Sequence, residues 1–377
     1  MPTPTLNFVS GIATPPVNQL LHAVAARTDL CLRIWYATET DSKLYPWQTN
    51  PTHEFQRAEI YGKHWPNPQL LKLALRGSRD QGFMVVGWSN ATMRTLIPTL
   101  ATLGKRFAFF TDRPADKERS PSRAILRDVY LGILRHRSTV FCVGRTAVDY
   151  FSDRRFPVDR LCNLPLPAEL PASLRARIPT RETIRARFQL SPDDYFVVTG
   201  SRLVDTKGFD LLLSAVARFD ERERARVKLL IVGSGPEKEK LESQARETNL
   251  SEQVRFEPWM EYADFCGCIG AADVVVHPAR ADPYGGITLT AVGLGVPVVG
   301  TRQAGSAIEL IEDGQSGFLY DADDVEALAG HLRQLLHNRE LRTAMAERAR
   351  SMASRWTAER LADTLVRRLF QDGILRR

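Results

Sequence analysis

The chain has 377 residues, 44% of them hydrophobic and 25% charged, a composition ordinary for a soluble globular protein and a length beyond one ordinary core, so two domains are expected. No apolar run approaches the roughly 18 residues of a membrane helix, and the N-terminal MPTPTLNFVSG lacks a basic start followed by an apolar stretch, which points to a cytoplasmic protein. The net charge of +7 is uneven: residues 1 to 180 hold 24 Lys and Arg against 14 Asp and Glu, about +10, which leaves about −3 for the rest.

TLNFVSG reads as a first strand. It enters the loop GIATPPVN and a helix from about Gln19 to Arg27, with Gly11 at the strand end. CLRIWYAT is a second strand. Residues 39 to 68, rich in aromatic and polar types and broken by Pro46, Pro51, Pro66 and Pro68, suit a long functional excursion better than a core element. GFMVVGW, RFAFFTD and TVFCVG are the third, fourth and fifth strands, with helices near 91–103 and in RTAVDYFSD. SRAILRDVYLGILRHR reads as an amphipathic helix with Ile125, Val129, Ile133 and Leu134 on its apolar face and Arg on the other.

The Pro-rich run 164–180 shows no periodicity and marks a linker, set at 166–181, between a domain of residues 1–165 and one of residues 182–355. The alternation then restarts: YFVVTGSR, VKLLIVGSG, VRFEPW, DVVVHPA and VPVVGTR are strands, with helices beginning near Lys207, Pro236, Glu261, Gly286 and Ser306. Strands alternating with helices imply parallel sheets covered on both faces, so the fold class is α/β with two Rossmann-like domains facing across a cleft.

Basic residues are densest from Lys105 to Arg155, including Arg113, Lys117, Arg119, Arg123, Arg127, Arg135 and Arg137. Such a face suits an anionic membrane surface or an acidic acceptor, or is simply a solvated helix face. Nucleic acid is disfavoured, because no stacking aromatics interleave with the cations. The five Cys are an odd number, and Cys266-Gly-Cys268 lacks the two-residue gap of redox or zinc pairs, so buried thiols are expected.

Two stretches carry chemistry. RADPYGGITLTAVGLGVPVVG, residues 280–300, follows an apolar strand and opens with Pro283, Gly285 and Gly286 ahead of a helix, where bare amides can meet an anion. GSRLVDTKG, residues 200–208, is the first turn after a buried strand, so Arg202 and Lys207 can project toward the strands' carboxyl ends. Two cations suit a diphosphate leaving group, whose negative charge grows as a sugar–phosphate bond breaks. Gly233-Ser234-Gly235 is a weak dinucleotide fingerprint, since the third glycine and the ribose carboxylate are missing. The acidic run Asp321 to Asp324 reads as a helix cap rather than a metal site.

With Asp282, Pro283, Tyr284, Gly285, Ala291, Gly295, Pro297, Val298 and Val299 in place, and Arg202 and Lys207 at matching spacing, residues 195–370 resemble the retaining GT-B nucleotide-sugar glycosyltransferases. This is the large family of sucrose-synthase-like and mannosyl transferases, glycosyltransferase family 4. The resemblance implies that Arg202 and Lys207 hold the donor diphosphate without a divalent metal or other cofactor. It implies that Asp282 accepts from sugar hydroxyls, that Gly285, Gly286 and Ile287 offer amides to the phosphates or sugar, and that Trp259 and Tyr284 line the donor site. The family has two Glu eight residues apart, whereas this chain has Asp282 and Thr290. Thr290 would have to serve the ribose with one hydroxyl and no charge, unless Glu309, in a family-like position but readable as a surface carboxylate, takes over. Gly11 would give the donor phosphates room, and Asp112 at the fourth strand's end would orient or deprotonate the acceptor, unless it only caps a turn before Pro114. His22 is expected to pack. The terminal helix, 356–377, would cross back onto the first domain.

The implied activity is transfer of a sugar, with retention, from a nucleoside-diphosphate sugar to a glycan or lipid-linked acceptor in bacterial polysaccharide synthesis, in the cytoplasm or peripherally at the inner membrane face. The rival readings are a degenerate nucleotide or glycan binder and a GT-B sugar-nucleotide epimerase or phosphorylase.

Overall fold

The computed structural model describes residues 3–38, 55, 57–62, 64–77, 80–114 and 121–376. Most of the aromatic-rich segment 39–68 lies outside the described residues, as do Lys117, Arg119 and the side chain of Arg123. The chain divides into two compact units, residues 1–167 with 358–377, and residues 168–357.

In the first unit β1 (Thr5–Ile12), β2 (Cys31–Thr38), β3 (Ala58–Ile60), β4 (Gln81–Val86), β5 (Phe107–Thr111), β6 (Ser138–Cys142) and β7 (Leu161–Asn163) form one parallel sheet in the order β3-β2-β1-β4-β5-β6-β7. Val9, Phe83, Val85, Phe109 and Val140 pack one face of it against Met93, Leu96 and Leu100 of helix Ala91–Thr102. Elsewhere in this unit helix Pro15–Ala25 lies against helix Ala358–Gln371. Beyond that terminal helix, Leu375 is buried so tightly over the sheet that a Cβ on Gly82 would stand 2.6 Å from its Cδ2.

The sequence reading found five of these strands. β3 and β7 are three residues each, too short for an apolar alternation to show, and β3 lies inside the stretch expected to be an irregular excursion. Helix Pro121–Arg137 departs in a second way. Leu131 and Leu134 are buried, but Ile125 and Val129, placed on its apolar face from sequence, are 66% and 54% exposed. Apolar residues ring more than one stripe of this helix, so the period alone does not say which stripe is covered.

In the second unit β8 (Tyr195–Gly200), β9 (Val227–Val232), β10 (Val254–Glu257), β11 (Val274–His277), β12 (Val298–Thr301) and β13 (Gly317–Tyr320) form a parallel sheet in the order β10-β9-β8-β11-β12-β13. Its inner strands β8 and β11 carry unbroken apolar runs, Tyr195–Val198 and Val274–Val276, because helices cover both faces. One face packs against helices Phe209–Ala217 and Val325–His337. β13, a four-residue run, escaped the sequence reading.

The Pro-rich 166–181 stretch is more ordered than a linker. It carries a short helix, Ala172–Arg175, and Ala168 and Leu170 are buried. Helix Gly286–Leu294 approaches it so closely that a Cβ on Gly293 would lie 2.0 Å from the Ala168 carbonyl oxygen. In each sheet the strand order reverses beside the first strand, between β1 and β4 and again between β8 and β11. Ligands of open α/β sheets bind outside the strands' carboxyl ends at such a reversal.

Gly293→Ala should destabilise the protein by roughly 1–3 kcal/mol through that backbone collision. Gly330→Ala, on an exposed helical position with nothing within 4 Å of the new Cβ, should instead stabilise it by about 0.5–1 kcal/mol. Urea unfolding of the two variants checks both signs.

Candidate active site

The loops after β8 and β11 meet because of one glycine. Gly208 has φ +66°, and a Cβ on it would fall 2.0 Å from the Pro278 carbonyl oxygen, so no other residue lets the two backbones touch. The turn before it, Asp205–Lys207, is a single 3₁₀ turn; the Ala281 amide donates to the Thr206 carbonyl across the contact. Arg280 fastens the same junction. Its guanidinium donates to both carboxylate oxygens of Asp210, at 2.7 and 2.6 Å, to the Asp205 carbonyl and to Asp323.

This junction delivers Lys207 to Asp282. The Lys207 Nζ lies 2.5 Å from Asp282 Oδ2, with both side chains about nine-tenths buried. The same oxygen is 3.1 Å from His277 Nε2, and His277 Nδ1 is 2.8 Å from the hydroxyl of Thr288. Burial disfavours charge on Asp282, but the His277 hydrogen bond and the Lys207 ammonium outweigh it and hold the carboxyl well below the usual carboxylate range. The Asp282 backbone is fixed as well: its amide donates to the Gln303 carbonyl and its carbonyl accepts from Gly305.

Gly285 follows at φ +90°, and a Cβ there would stand 2.1 Å from the His277 ring and 2.9 Å from the Asp282 carboxylate. Ser306 donates to the Gly285 carbonyl at 2.7 Å, so this carbonyl is turned toward β12's loop. Gly285 caps helix Gly286–Leu294. The amides of Gly286 and Ile287 lie in its first turn, where a helix leaves them without intrahelical acceptors, beside the positive end of its dipole. An ammonium and a helix N-terminus thus flank one buried carboxylate, and the arrangement can take an anionic group together with a hydroxyl donor.

Thr290 is turned elsewhere. Its hydroxyl donates to the Gly286 carbonyl at 3.1 Å and lies 3.1 Å from the hydroxyl of Tyr262 on the neighbouring helix Tyr262–Ala271. Glu309 is buried on helix Gly305–Leu310, at 6% exposure, which corrects the surface-carboxylate reading. Tyr284 is buried beside the Asp282 loop, and Trp259, half-buried, follows the end of β10. Arg202 is exposed on the turn after β8, and its guanidinium joins no ion pair among the described residues; unlike Lys207 it is not drawn into the Asp282 cluster. Gly233 and Gly235 pack the turn after β9 against that same turn: a Cβ on either would meet the Ser201 or Leu203 carbonyl at 1.9 or 2.2 Å.

In the first unit Gly11 is the penultimate residue of β1, and its Cβ position lies 3.2 Å from the Ser89 hydroxyl, across the point where that sheet reverses. Asp112 is exposed immediately after β5, one strand further along. His22 stacks on Phe55 at 4.2 Å. Asp324 caps helix Val325–His337 by accepting from the Ala327 amide. Of the five cysteines, all free thiols, Cys142, Cys266 and Cys268 are buried and Cys31 and Cys162 partly so.

His277, Thr288 and Arg280 did not stand out in the sequence. The only signal was the placement of His277 as the last residue of an apolar strand, at the carboxyl end where sites form.

For Asp210, burial opposes ionisation, but the Arg280 hydrogen bonds and charge prevail and depress its folded-state pKa. Its contribution to stability is therefore complete above the unfolded carboxylate value near ~3.9 and is lost as pH falls through the lower folded value. Asp210→Asn should be less stable than the wild type at neutral pH, and the gap should narrow as pH falls below the unfolded carboxylate value near ~3.9, as read by urea unfolding across that range.

Residues 180–352 match the family model for glycosyl transferases group 1. The lipopolysaccharide core biosynthesis glycosyltransferase LpsE of Rhizobium meliloti (strain 1021) is 31% identical over 186 residues, 49% of this chain and 52% of that one. A D-inositol 3-phosphate glycosyltransferase of Corynebacterium urealyticum is 39% identical over 171 residues, 44% of this chain and 40% of its own length. The chain spans about half the length of these curated relatives. Among solved structures, Anabaena Alr3699/HepE in complex with UDP aligns with a TM-score of 0.75 at 17% identity, over 97% of this chain and 99% of that one. WaaG, a glycosyltransferase involved in lipopolysaccharide biosynthesis, aligns at 0.65 and 20% identity over 95% and 98%. The chain therefore has the two-domain Rossmann-like fold of the GT-B glycosyltransferases, with the group 1 match confined to residues 180–352.

Proposed function

We propose that the protein is a retaining glycosyltransferase that moves a sugar from a nucleoside-diphosphate donor to a glycan or lipid-linked acceptor of a bacterial surface polysaccharide. The observation that carries this reading is the buried Lys207–Asp282 pair beside the helix N-terminus at Gly286, at the sheet's reversal point. The group 1 match over the same residues supports it, as does the fold shared with a structure that binds UDP.

In the reaction the bond between the anomeric carbon and the phosphate oxygen breaks, and its electron pair stays on the diphosphate. The acceptor hydroxyl forms the new bond on the same face, and its proton leaves with the departing phosphate. Lys207, the amides of Gly286 and Ile287, and Arg202 reaching in from its exposed turn meet the charge that develops; this chemistry asks for no divalent ion. Asp282 receives a sugar hydroxyl. The ribose, which position 290 cannot serve with a hydroxyl already engaged by Tyr262 and Gly286, is left to other groups, among which Glu309 is the next acid along the chain after Thr290.

Lys207→Ala should cut turnover by roughly two orders of magnitude with the circular dichroism spectrum unchanged; full activity would remove Lys207 from the site. Release of free nucleoside diphosphate only when acceptor is supplied separates a transferase from a phosphorylase, which needs inorganic phosphate, and from a binder, which turns over nothing. Titrating a panel of nucleoside diphosphates identifies the base.

The acceptor side suits an anionic membrane surface. No helix among the described residues is long and apolar enough to cross a bilayer, yet helix Pro121–Arg137 exposes Ile125, Leu126 and Val129 in the most basic part of the chain. Apolar side chains among cations are what an interfacial helix uses. Replacing the three by Ser should weaken sedimentation with phosphatidylglycerol vesicles without altering the fold, whereas little of either protein should sediment with phosphatidylcholine vesicles.

A further inference from the structure

We propose that His277 and Thr288 are positioning residues that leave Asp282 one free oxygen for the donor sugar, with Thr288 setting the tautomer through which His277 does so. The inference rests on the donor-site reading above and assigns a role to two residues that do not touch the nucleotide.

Asp282 Oδ2 is occupied twice, by Lys207 Nζ at 2.5 Å and His277 Nε2 at 3.1 Å, whereas Oδ1 has no hydrogen-bond partner among the described residues. A carboxylate held on one side only can pivot. Here two donors from different loops meet on one oxygen, and the Gly285 backbone closes against it, so the plane of the group and the direction of Oδ1 are set before any ligand arrives. Preorganised acceptors of this kind distinguish one hydroxyl arrangement from another.

The imidazole can contribute only with a proton on Nε2. In its uncharged form a proton on Nδ1 instead would turn a bare Nε2 lone pair toward the Asp282 carboxylate, a repulsive contact. The neighbour at Nδ1 decides. Thr288 Oγ1 is 2.8 Å away, its residue is fully buried, and no other partner is recorded for that hydroxyl among the described residues. A buried hydroxyl donates where an acceptor is offered, since an unused donor costs about 1–3 kcal/mol. Thr288 therefore donates to Nδ1, the ring proton sits on Nε2, and Nε2–H donates to Asp282. The chain Thr288 to His277 to Asp282 runs in one direction and ends on the carboxylate that Lys207 also holds.

Two measurements on the full chain test this. The first needs no substrate: a long-range nitrogen–proton correlation spectrum of the histidine-labelled protein, with the His277 signals identified by their absence in His277→Gln. The expected pattern is a proton on Nε2 with a bare Nδ1 in the wild type and its loss or mixing in Thr288→Val; a proton on Nδ1 in the wild type, alone or together with one on Nε2, overturns the proposal. The second compares donor and product. Thr288→Val and His277→Ala should raise KM for the nucleoside-diphosphate sugar about tenfold or more, while the dissociation constant of the nucleoside diphosphate, which lacks the transferred sugar, changes less than about twofold. His277→Gln, which keeps an N–H near the Nε2 position, should restore most of the lost affinity. If both ligands weaken alike and Gln does not rescue, the pair is merely structural and the proposal fails. If the wild type binds no nucleoside diphosphate at all, it is the donor-site reading that fails, and the spectrum still decides the tautomer.

Discussion

The site depends on a contact between two peptide backbones. Gly208 and the Pro278 carbonyl lie closer than any side chain would allow, and that approach brings a cationic turn from one strand onto an acidic loop from another. Lys207 and Asp282 then meet in a place nearly closed to water, where an ion pair persists only if its remaining polar atoms find partners. Arg280 supplies the mechanical closure outside this pair, with Asp210, Asp205 and Asp323 gathered on one guanidinium. The reactive-looking groups are thus the inner layer of a junction whose outer layer is a salt-bridge hub of ordinary surface residues.

Topology says why the junction lies where it does. A parallel sheet that starts in its middle and grows outward in both directions leaves a gap between the helices on either side of its first strand. β8 and β11 border that gap in the second unit, and the two loops that lead out of them carry Lys207 and Gly208, and Asp282, Gly285 and Gly286. The sheet of the first unit has the same reversal between β1 and β4, where Gly11 faces Ser89. Each unit therefore has its own reversal point, one bordered by charge and the other by small residues.

Much of this was legible from the chain alone, for identifiable reasons. Long apolar strands bounded by Gly announce themselves, so β1, β2, β8 and β11 were placed within a residue or two and β9 ran three residues too far, and the helix opening at Gly286 followed from its glycine pair. Short edge strands were lost, because three residues of LCN or AEI hold no alternation to read. Helix Pro121–Arg137 carries enough apolar residues to offer two stripes, and only packing chose Leu131 and Leu134 over Ile125 and Val129. Lys207, Asp282 and Gly285, which the structure brings together, were singled out in the sequence because a cation and bare amides suit phosphate and because the Asp282 loop resembles a family motif. His277 and Thr288 were not, because a His ending an apolar strand and a Thr inside a helix look like core until their separation, eleven residues along the chain and 2.8 Å in space, is known.

The discontinuity of the first unit has a biosynthetic meaning. Residues 168–357 form a continuous unit that can close as soon as it has emerged from the ribosome, whereas residues 1–167 wait for 358–377 before Leu361, Leu365, Leu369 and Leu375 cover their apolar partners. The half made first is the half finished last. During that interval a finished sheet with part of its apolar surface uncovered is on offer to chaperones, and loss of residues 358–377 would injure the unit built from residues 1–167 while sparing the one beside them in sequence.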